Sequence, residues 1–258
     1  MKIKNFFSIF LLLIFVNKIS SQNRIAGKKN ETTFLTVTYK SGTYKTLEDI
    51  NVIKTDSDKK SIINRKYVQD SLEFVLYCNK EKSLYKVVDR LDVKDGDPEF
   101  EIEKAGLGSH HIYYTNTLEK EIIKHTDLNI SRGIFNISYP FDKFNWNVTS
   151  ETKIINGYLC YKATAHYEEF KKFINKTLLI DAFAWFTPKL PFPFGPRSMH
   201  GLPGLIMEGS IDGKTYYYVS KIVLNNKLKS PIEKPKGKLI SSSDFEDMEI
   251  KELNKIKL

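Results

Sequence analysis

The sequence predicts a mainly β protein: a single curved antiparallel sheet, or partly open barrel, of hairpin meanders with few or no helices. Three observations carry this. Apolar and polar residues alternate with period two through almost every segment, Asn-Gly and Asp-Gly pairs stand between such runs, and no stretch sustains apolar residues at helical spacing. Strand side chains point to alternate faces, so such runs bury one side of a sheet and wet the other.

Phe34 to Lys40 is the first such run. Leu72–Cys78 and Ser83–Val88 flank the polar connection Asn79–Lys82 and read as a hairpin. His110–Asn116 and Leu118–Lys124 form a second pair, and Gly133–Tyr139 a further strand. Trp146–Ile155 runs into Asn156-Gly157, and Tyr158–Tyr167 leads away. Asn and Gly both accept positive φ, so a type I′ turn is expected there. Asp212-Gly213 joins Leu205–Ile211 to Thr215–Leu224 in the same way. The expectation is eight to ten strands, curved enough to bury one face against itself or a short helix. Lys54–Lys60 reads as an exposed loop, and Glu168–Ile174 as one helical turn at most. Asp97, Glu99, Glu101 and Glu103 alternate with apolar residues. Extended, these carboxylates would stand about 6–7 Å apart. That spacing suits calcium or paired acid chemistry, but a charged edge strand resisting aggregation is the plainer reading.

Between Pro188 and Pro203 the texture changes. Five of the nine prolines lie there, with Gly195 and Gly201 among them and Gly204 following. Proline has no amide to give a ladder, so this stretch is expected to be a long structured loop leading into the strand at Leu205.

Lys2 and Lys4 precede an apolar run from Phe6 to Val16, and small polar residues Ser20 and Ser21 follow. This is the pattern of a secretory signal, too short to span a bilayer, with cleavage expected near Ser21. The chain thus divides into a signal (1–21), one β-rich domain (22–226) and a polar C-terminal segment (227–258) that reads as solvated. Export places the protein in the periplasm, on the outer membrane or outside the cell, with no transmembrane segment once the signal is removed. The whole chain carries 40 basic against 31 acidic residues. Loss of Lys2, Lys4 and Lys18 leaves 37 against 31, a net charge of +6. These charges are dispersed rather than gathered into a basic stripe interleaved with aromatics, so no nucleic-acid partner is expected. Cys78 and Cys160 are the only cysteines. In an oxidising compartment they either pair or stay as two buried thiols, and separation in sequence does not decide which.

No familiar catalytic constellation emerges. Cys160 and His166 share a strand face but stand roughly 20 Å apart at strand rise. Ser57/Lys60 and Ser83/Lys86 have Ser-x-x-Lys spacing without the helix that would bring the pair together. Gly-x-Ser-x-Gly, His-Glu-x-x-His and phosphate-cradling glycine loops are absent, so no cofactor is expected. Met199, His200 and Met207 are candidates for a soft metal, with methionine as gap filler the alternative.

The Pro/Gly loop ends in Gly201-Leu202-Pro203-Gly204-Leu205-Ile206, the hexapeptide that names the GLPGLI family. Three further segments agree in order and spacing: Gly157-Tyr158-Leu159-Cys160-Tyr161-Lys162-Ala163, Ala184-Trp185-Phe186-Thr187 and Gly195-Pro196. On these residues the chain resembles that family of exported bacterial proteins, chiefly of Bacteroidota, over most of its mature length. The resemblance implies export and a coherent fold but supplies no catalytic residue. Gly201 and Gly204 suit positions needing positive φ or close backbone approach, with Pro203 stiffening the turn between them. The motif then either closes one end of a curved sheet, or lids an apolar cavity lined by Trp185, Phe192, Phe194, His200, Leu202 and Leu205. The expected role is non-enzymatic binding of a lipophilic or small ligand in the cell envelope. The alternatives are an interaction module for an outer-membrane partner and, further off, a metal-binding protein or a hydrolase.

Overall fold

The computed structural model describes residues 32–43, 56–88, 98–127, 133–227 and 231–256. The signal segment 1–21 lies outside them. Two compact units divide the chain: Met1–Thr33 with Asn226–Ser230, and Phe34–Asn225 with Pro231–Leu258. Of the first, only residues 32, 33, 226 and 227 are described. The fold is that of the second.

Twelve strands form one open sheet: β1 (Thr32–Thr43), β2 (Glu73–Cys78), β3 (Lys82–Val88), β4 (His111–Asn116), β5 (Glu121–Thr126), β6 (Phe135–Tyr139), β7 (Asn147–Ile155), β8 (Tyr158–Lys171), β9 (Lys176–Thr187), β10 (Leu205–Ser210), β11 (Thr215–Lys227) and β12 (Lys238–Ser241). Their order across the sheet is β12-β6-β5-β4-β3-β2-β1-β11-β10-β9-β8-β7. The β12–β6 pair is parallel, while the hairpins along the chain are antiparallel. The mainly β expectation therefore holds, and so do its turns. Asn156 and Gly157 take φ of 49° and 81°, the type I′ pair. Asn79 Oδ1 accepts from the amides of Glu81 and Lys82, and Asp212 Oδ1 accepts from those of Lys214 and Thr215. Short polar side chains thus fix three of the hairpins locally.

Two strands exceed the sequence reading. β9 carries three consecutive apolar residues near its start, Leu178 to Ile180, which obscure its alternation. β12 belongs to the polar C-terminal segment, yet it pairs with β6 and leads into a helix. Among the described residues three helices also replace expected irregular or extended chain: α1 (Asp56–Ser71), α2 (Pro98–Gly106) and α3 (Ser242–Ile256). Lys54–Lys60 is accordingly not simply an exposed loop, because α1 starts at Asp56. The acidic run is not an edge strand either. Asp97 lies outside the described residues, and Glu101 and Glu103 lie on α2, whose Phe100 turns into the core while Ile102 is exposed. Both helices are held by few apolar side chains: Val68 of α1, Leu72 just after it and Phe100 of α2 join the main core, and Tyr67 meets Phe100 edge-on at 6.2 Å. So sparse an apolar stripe left no helical period to read. α3 has a clearer local cause: Ser241 Oγ accepts from the Asp244 amide and donates to the Asp244 carboxylate, capping the helix. Phe245 then packs against Phe135 of β6.

One row across the sheet explains the interior. Val37, Leu76, Tyr85, Tyr113, Lys124 and Ile137 are successive cross-strand partners from β1 to β6, so they share one face. The row is apolar, then aromatic, then cationic at Lys124. Leu84, Tyr114 and Ile123 occupy the opposite face as a separate cluster. The segment after β9 folds over β10, where a Cβ on Gly195 would lie 2.7 Å from the Ile206 side chain and one on Gly209 3.0 Å from Met199.

Candidate functional site

The Pro/Gly segment between β9 and β10 is cross-tied by its own backbone. Leu205 N donates to Leu190 O, Gly201 N to Pro193 O and Ile206 N to Phe194 O, while Gly195 N donates to Met199 O at 2.8 Å. Of the six residues that sequence places at a cavity mouth, five are core: Phe192, Phe194, His200, Leu202 and Leu205 are all buried. The His200 Nδ1–H donates to Ser198 O at 2.9 Å, and its ring lies 4.4 Å from that of Phe141. Burial lowers the His200 pKa, so the ring is neutral. Trp185 is only half-buried, with the Lys153 ammonium 4.4 Å and the Lys162 ammonium 5.8 Å from its ring, and Lys153 paired to Glu208 at 2.9 Å. Met199 and Met207 are both buried but belong to different clusters, so they do not converge with His200 on one point. Among the described residues no three of His, Cys, Asp and Glu gather as a metal site would require.

Cys78 and Cys160 are buried in the same apolar cluster but remain unpaired thiols, so the pairing that sequence allowed is not made. Burial pushes the Cys160 thiol up to about 11 and Cys78 further, keeping both protonated and unreactive. His166 does find a partner, Asp181 on β9, at 2.6 Å, but on an exposed surface.

The open space lies elsewhere, between the β4–β6 limb of the sheet and the far half of β8. An outer compartment of about 630 Å³ is bordered by Tyr139, Tyr167 and Phe170, and by Ser243, Phe245 and Glu246 of α3. A deeper one of about 210 Å³ is bordered by Tyr113, Ile122, Phe144 and Arg197, among others. Lys124, Tyr139, Pro140, Lys143, Glu169 and Lys171 border both, so the two are parts of one cleft. None of the six residues proposed from sequence borders either compartment.

Charge is uneven along this cleft. Around the deeper compartment stand Lys124, Lys143, Lys171 and Arg197 against the single carboxylate of Glu169. Glu169 lies 3.7 Å from Lys143 and 2.8 Å from Lys171. Burial alone would raise its pKa, but the hydrogen bond from Lys171 and the charge of Lys143 outweigh that and hold it below the usual range. Desolvation lowers the Lys143 pKa. Lys124 sits over the Tyr139 ring at 5.8 Å. Arg197 comes from the turn Pro196–Ser198 of the Pro/Gly segment and lies 5.9 Å from the Tyr217 ring, with Tyr113 and Tyr85 close by. Sequence reading missed all of these. Lys124 was legible only as one member of an alternating strand, and Lys143 and Arg197 carry no motif signal.

Residues 166–208, from β8 through the Pro/Gly segment into β10, match the family described as a protein of unknown function, Porph_ging. No curated protein matches the chain. Among solved structures, PNGF-II in two crystal forms, C2 and P21, is similar: the TM-score is 0.53 and the identity 15% in both. The alignment covers 86% of this chain but 33% and 34% of those, so the chain spans about a third of that protein's length. At that identity the likeness is one of fold. No described helix is long and apolar enough to cross a membrane.

Proposed function

We propose that this chain is an exported, non-enzymatic binding protein of the GLPGLI type, and that its small ligand occupies the cleft between β4–β6, β8 and α3. The observation that carries the reading is the pair of adjoining compartments with six common lining residues, together of a size that takes a small organic molecule. Their lining mixes aromatic rings with several polar groups, as ligand sites do. The signal pattern at 1–21 supports export, and the ordered GLPGLI segments support the family. On this reading the motif segment forms no lid; it is an internal brace that holds the curled sheet and presents Arg197.

The test is native mass spectrometry of the mature protein purified from a bacterial periplasm, with elemental analysis of the same sample. A stoichiometric adduct lost on denaturation is the expected result. A bare mass, with no adduct regained from a periplasmic extract, overturns the reading.

A docking role for an envelope partner is favoured by a different observation. Phe173 is 64% and Leu179 68% exposed at the β8–β9 hairpin end, and Phe170 and Ile174 beside them are also exposed. A bare mass would turn attention there.

A further inference from the structure

We infer that the ligand of this cleft carries an oxyanion, a carboxylate or phosphate group, anchored in the smaller compartment by Arg197 with Lys143 and Lys124. The inference rests on the binding reading above and specifies which chemistry the cleft selects.

The deep compartment holds four cationic side chains and one carboxylate. Glu169, with Glu249 of the outer compartment beside Lys124, can neutralise only part of that charge, and an anion entering the compartment supplies the rest. The neighbours of Arg197 are hydroxyls: Tyr113 and Tyr217, the latter donating to Leu107 O at 3.0 Å, stand beside its guanidinium, and Tyr85 is near. Arg197 Nε and the Tyr85 hydroxyl are both buried without a hydrogen-bond partner. Buried polar atoms left unmatched are uncommon and call for an explanation; of the two residues Arg197 borders the compartment, and a bound oxyanion accepts from its guanidinium.

A second, independent observation concerns the backbone. Arg197 and Ser198 are consecutive non-glycine residues at φ of 50° and 62°, in the left-handed region that L side chains avoid. Gly195 N to Met199 O and Met199 N to Pro196 O clamp this turn on both sides. Strain held by surrounding hydrogen bonds concentrates at functional positions, and here it points one guanidinium at the interior face. A planar, always-charged fork is also the side chain best matched to two oxygens of a carboxylate or phosphate.

Glu169 acts in this arrangement as a resident carboxylate. It borders both compartments and holds Lys143 and Lys171. An incoming oxyanion therefore competes with Glu169 for Lys143, while the body of the ligand lies outward against Tyr139, Tyr167 and Phe245.

The experiment is a titration of the mature protein, followed by side-chain and backbone NMR, with inorganic phosphate and separately with acetate. Sodium chloride at matched ionic strength is the reference. Saturable shifts at Tyr113, Lys143 and Arg197 with either oxyanion, but not with chloride, are expected. Arg197→Asn removes the charge and keeps a residue that tolerates the left-handed region, and Lys143→Met removes the second cation. Each should weaken binding by about tenfold or more, the scale of a charge-assisted hydrogen bond, while Glu169→Gln should strengthen it. Should Arg197→Asn fail to fold, Lys143→Met and Glu169→Gln decide, since both side chains are partly solvent-exposed, at 25% and 30%. Affinities indifferent to these substitutions, or shifts no different from those with chloride, overturn the inference. A neutral molecule found in the cleft also overturns it, and leaves the binding reading standing. No saturable shift together with a bare native mass overturns both.

Discussion

Gly204→Ala is the sharpest test of what the hexapeptide does. A Cβ at Gly204 would lie 2.1 Å from Thr187 O, 2.6 Å from Thr187 C and 3.0 Å from Pro188 Cα. All three are backbone atoms at the end of β9, so no side-chain rotation relieves the clash. The motif and the end of β9 must part by about an ångström, which as overpacking costs about 1–3 kcal/mol. Leu205, the next residue, donates to Leu190 O and is in register with Thr187. Losing one or two such hydrogen bonds adds about 1 kcal/mol each, giving about 2–5 kcal/mol in all. For a domain of this size that is a drop in Tm of about 4–20 °C. Gly201→Ala is the control. Gly201 has φ of 91° but its added Cβ would meet nothing nearer than Trp146 Cδ1 at 3.9 Å. Only backbone strain is involved, about 1–2 kcal/mol. Thermal and urea unfolding of the two purified variants measure the ranking. A Gly204→Ala protein that melts within a degree or two of wild type, or a Gly201→Ala protein that melts lower than it, refutes the close-approach argument.

Phe194 is fully buried and Trp185 is not, so Phe194→Ala should cost about 3–5 kcal/mol and Trp185→Ala about 2 kcal/mol, and the reverse order in urea melts would contradict the placement of these rings. Burial, reinforced by the charges of Lys124, Arg197 and His110, pushes the His111 pKa down to about 3 from 6.5. The fold accepts the neutral ring while the unfolded chain takes up the proton, so this stability is complete above pH 6.5 and is lost as pH falls toward 3. Between pH 6.5 and 4 the loss should be about 3 kcal/mol and His111→Gln should remove most of it, whereas parallel pH profiles of the two proteins would sink the assignment. Finally, a thiol reagent should label neither cysteine of the folded mature protein and both after unfolding without reductant. Absence of label after unfolding would mean that Cys78 and Cys160 are bonded after all.

The sequence by itself determined the local parts. Period-two runs marked ten of the strands, and Asn156-Gly157 set its turn because both residues accept positive φ. Gly201 and Gly204 read as conformational or close-approach glycines, and the structure divides those roles between them. These features are legible because strand alternation and turn chemistry act over a few residues. α1, α2 and β12 escaped because their cause is distant: a few residues such as Val68 and Phe100 dock on a core made by other strands, and β12 completes an edge that β6 offers. The cleft was beyond sequence for the same reason. Lys124, Glu169 and Arg197 lie on three elements that meet only when the sheet curls, and a lysine in an alternating strand looks alike whether its face is wet or enclosed. The aromatic residues of the Pro/Gly segment drew attention as a lid, yet burial of apolar area made them core, because an apolar loop folded onto an apolar sheet face has more to gain by packing than by facing solvent. Tertiary packing alone decided which charges face inward, and with them where a ligand can bind.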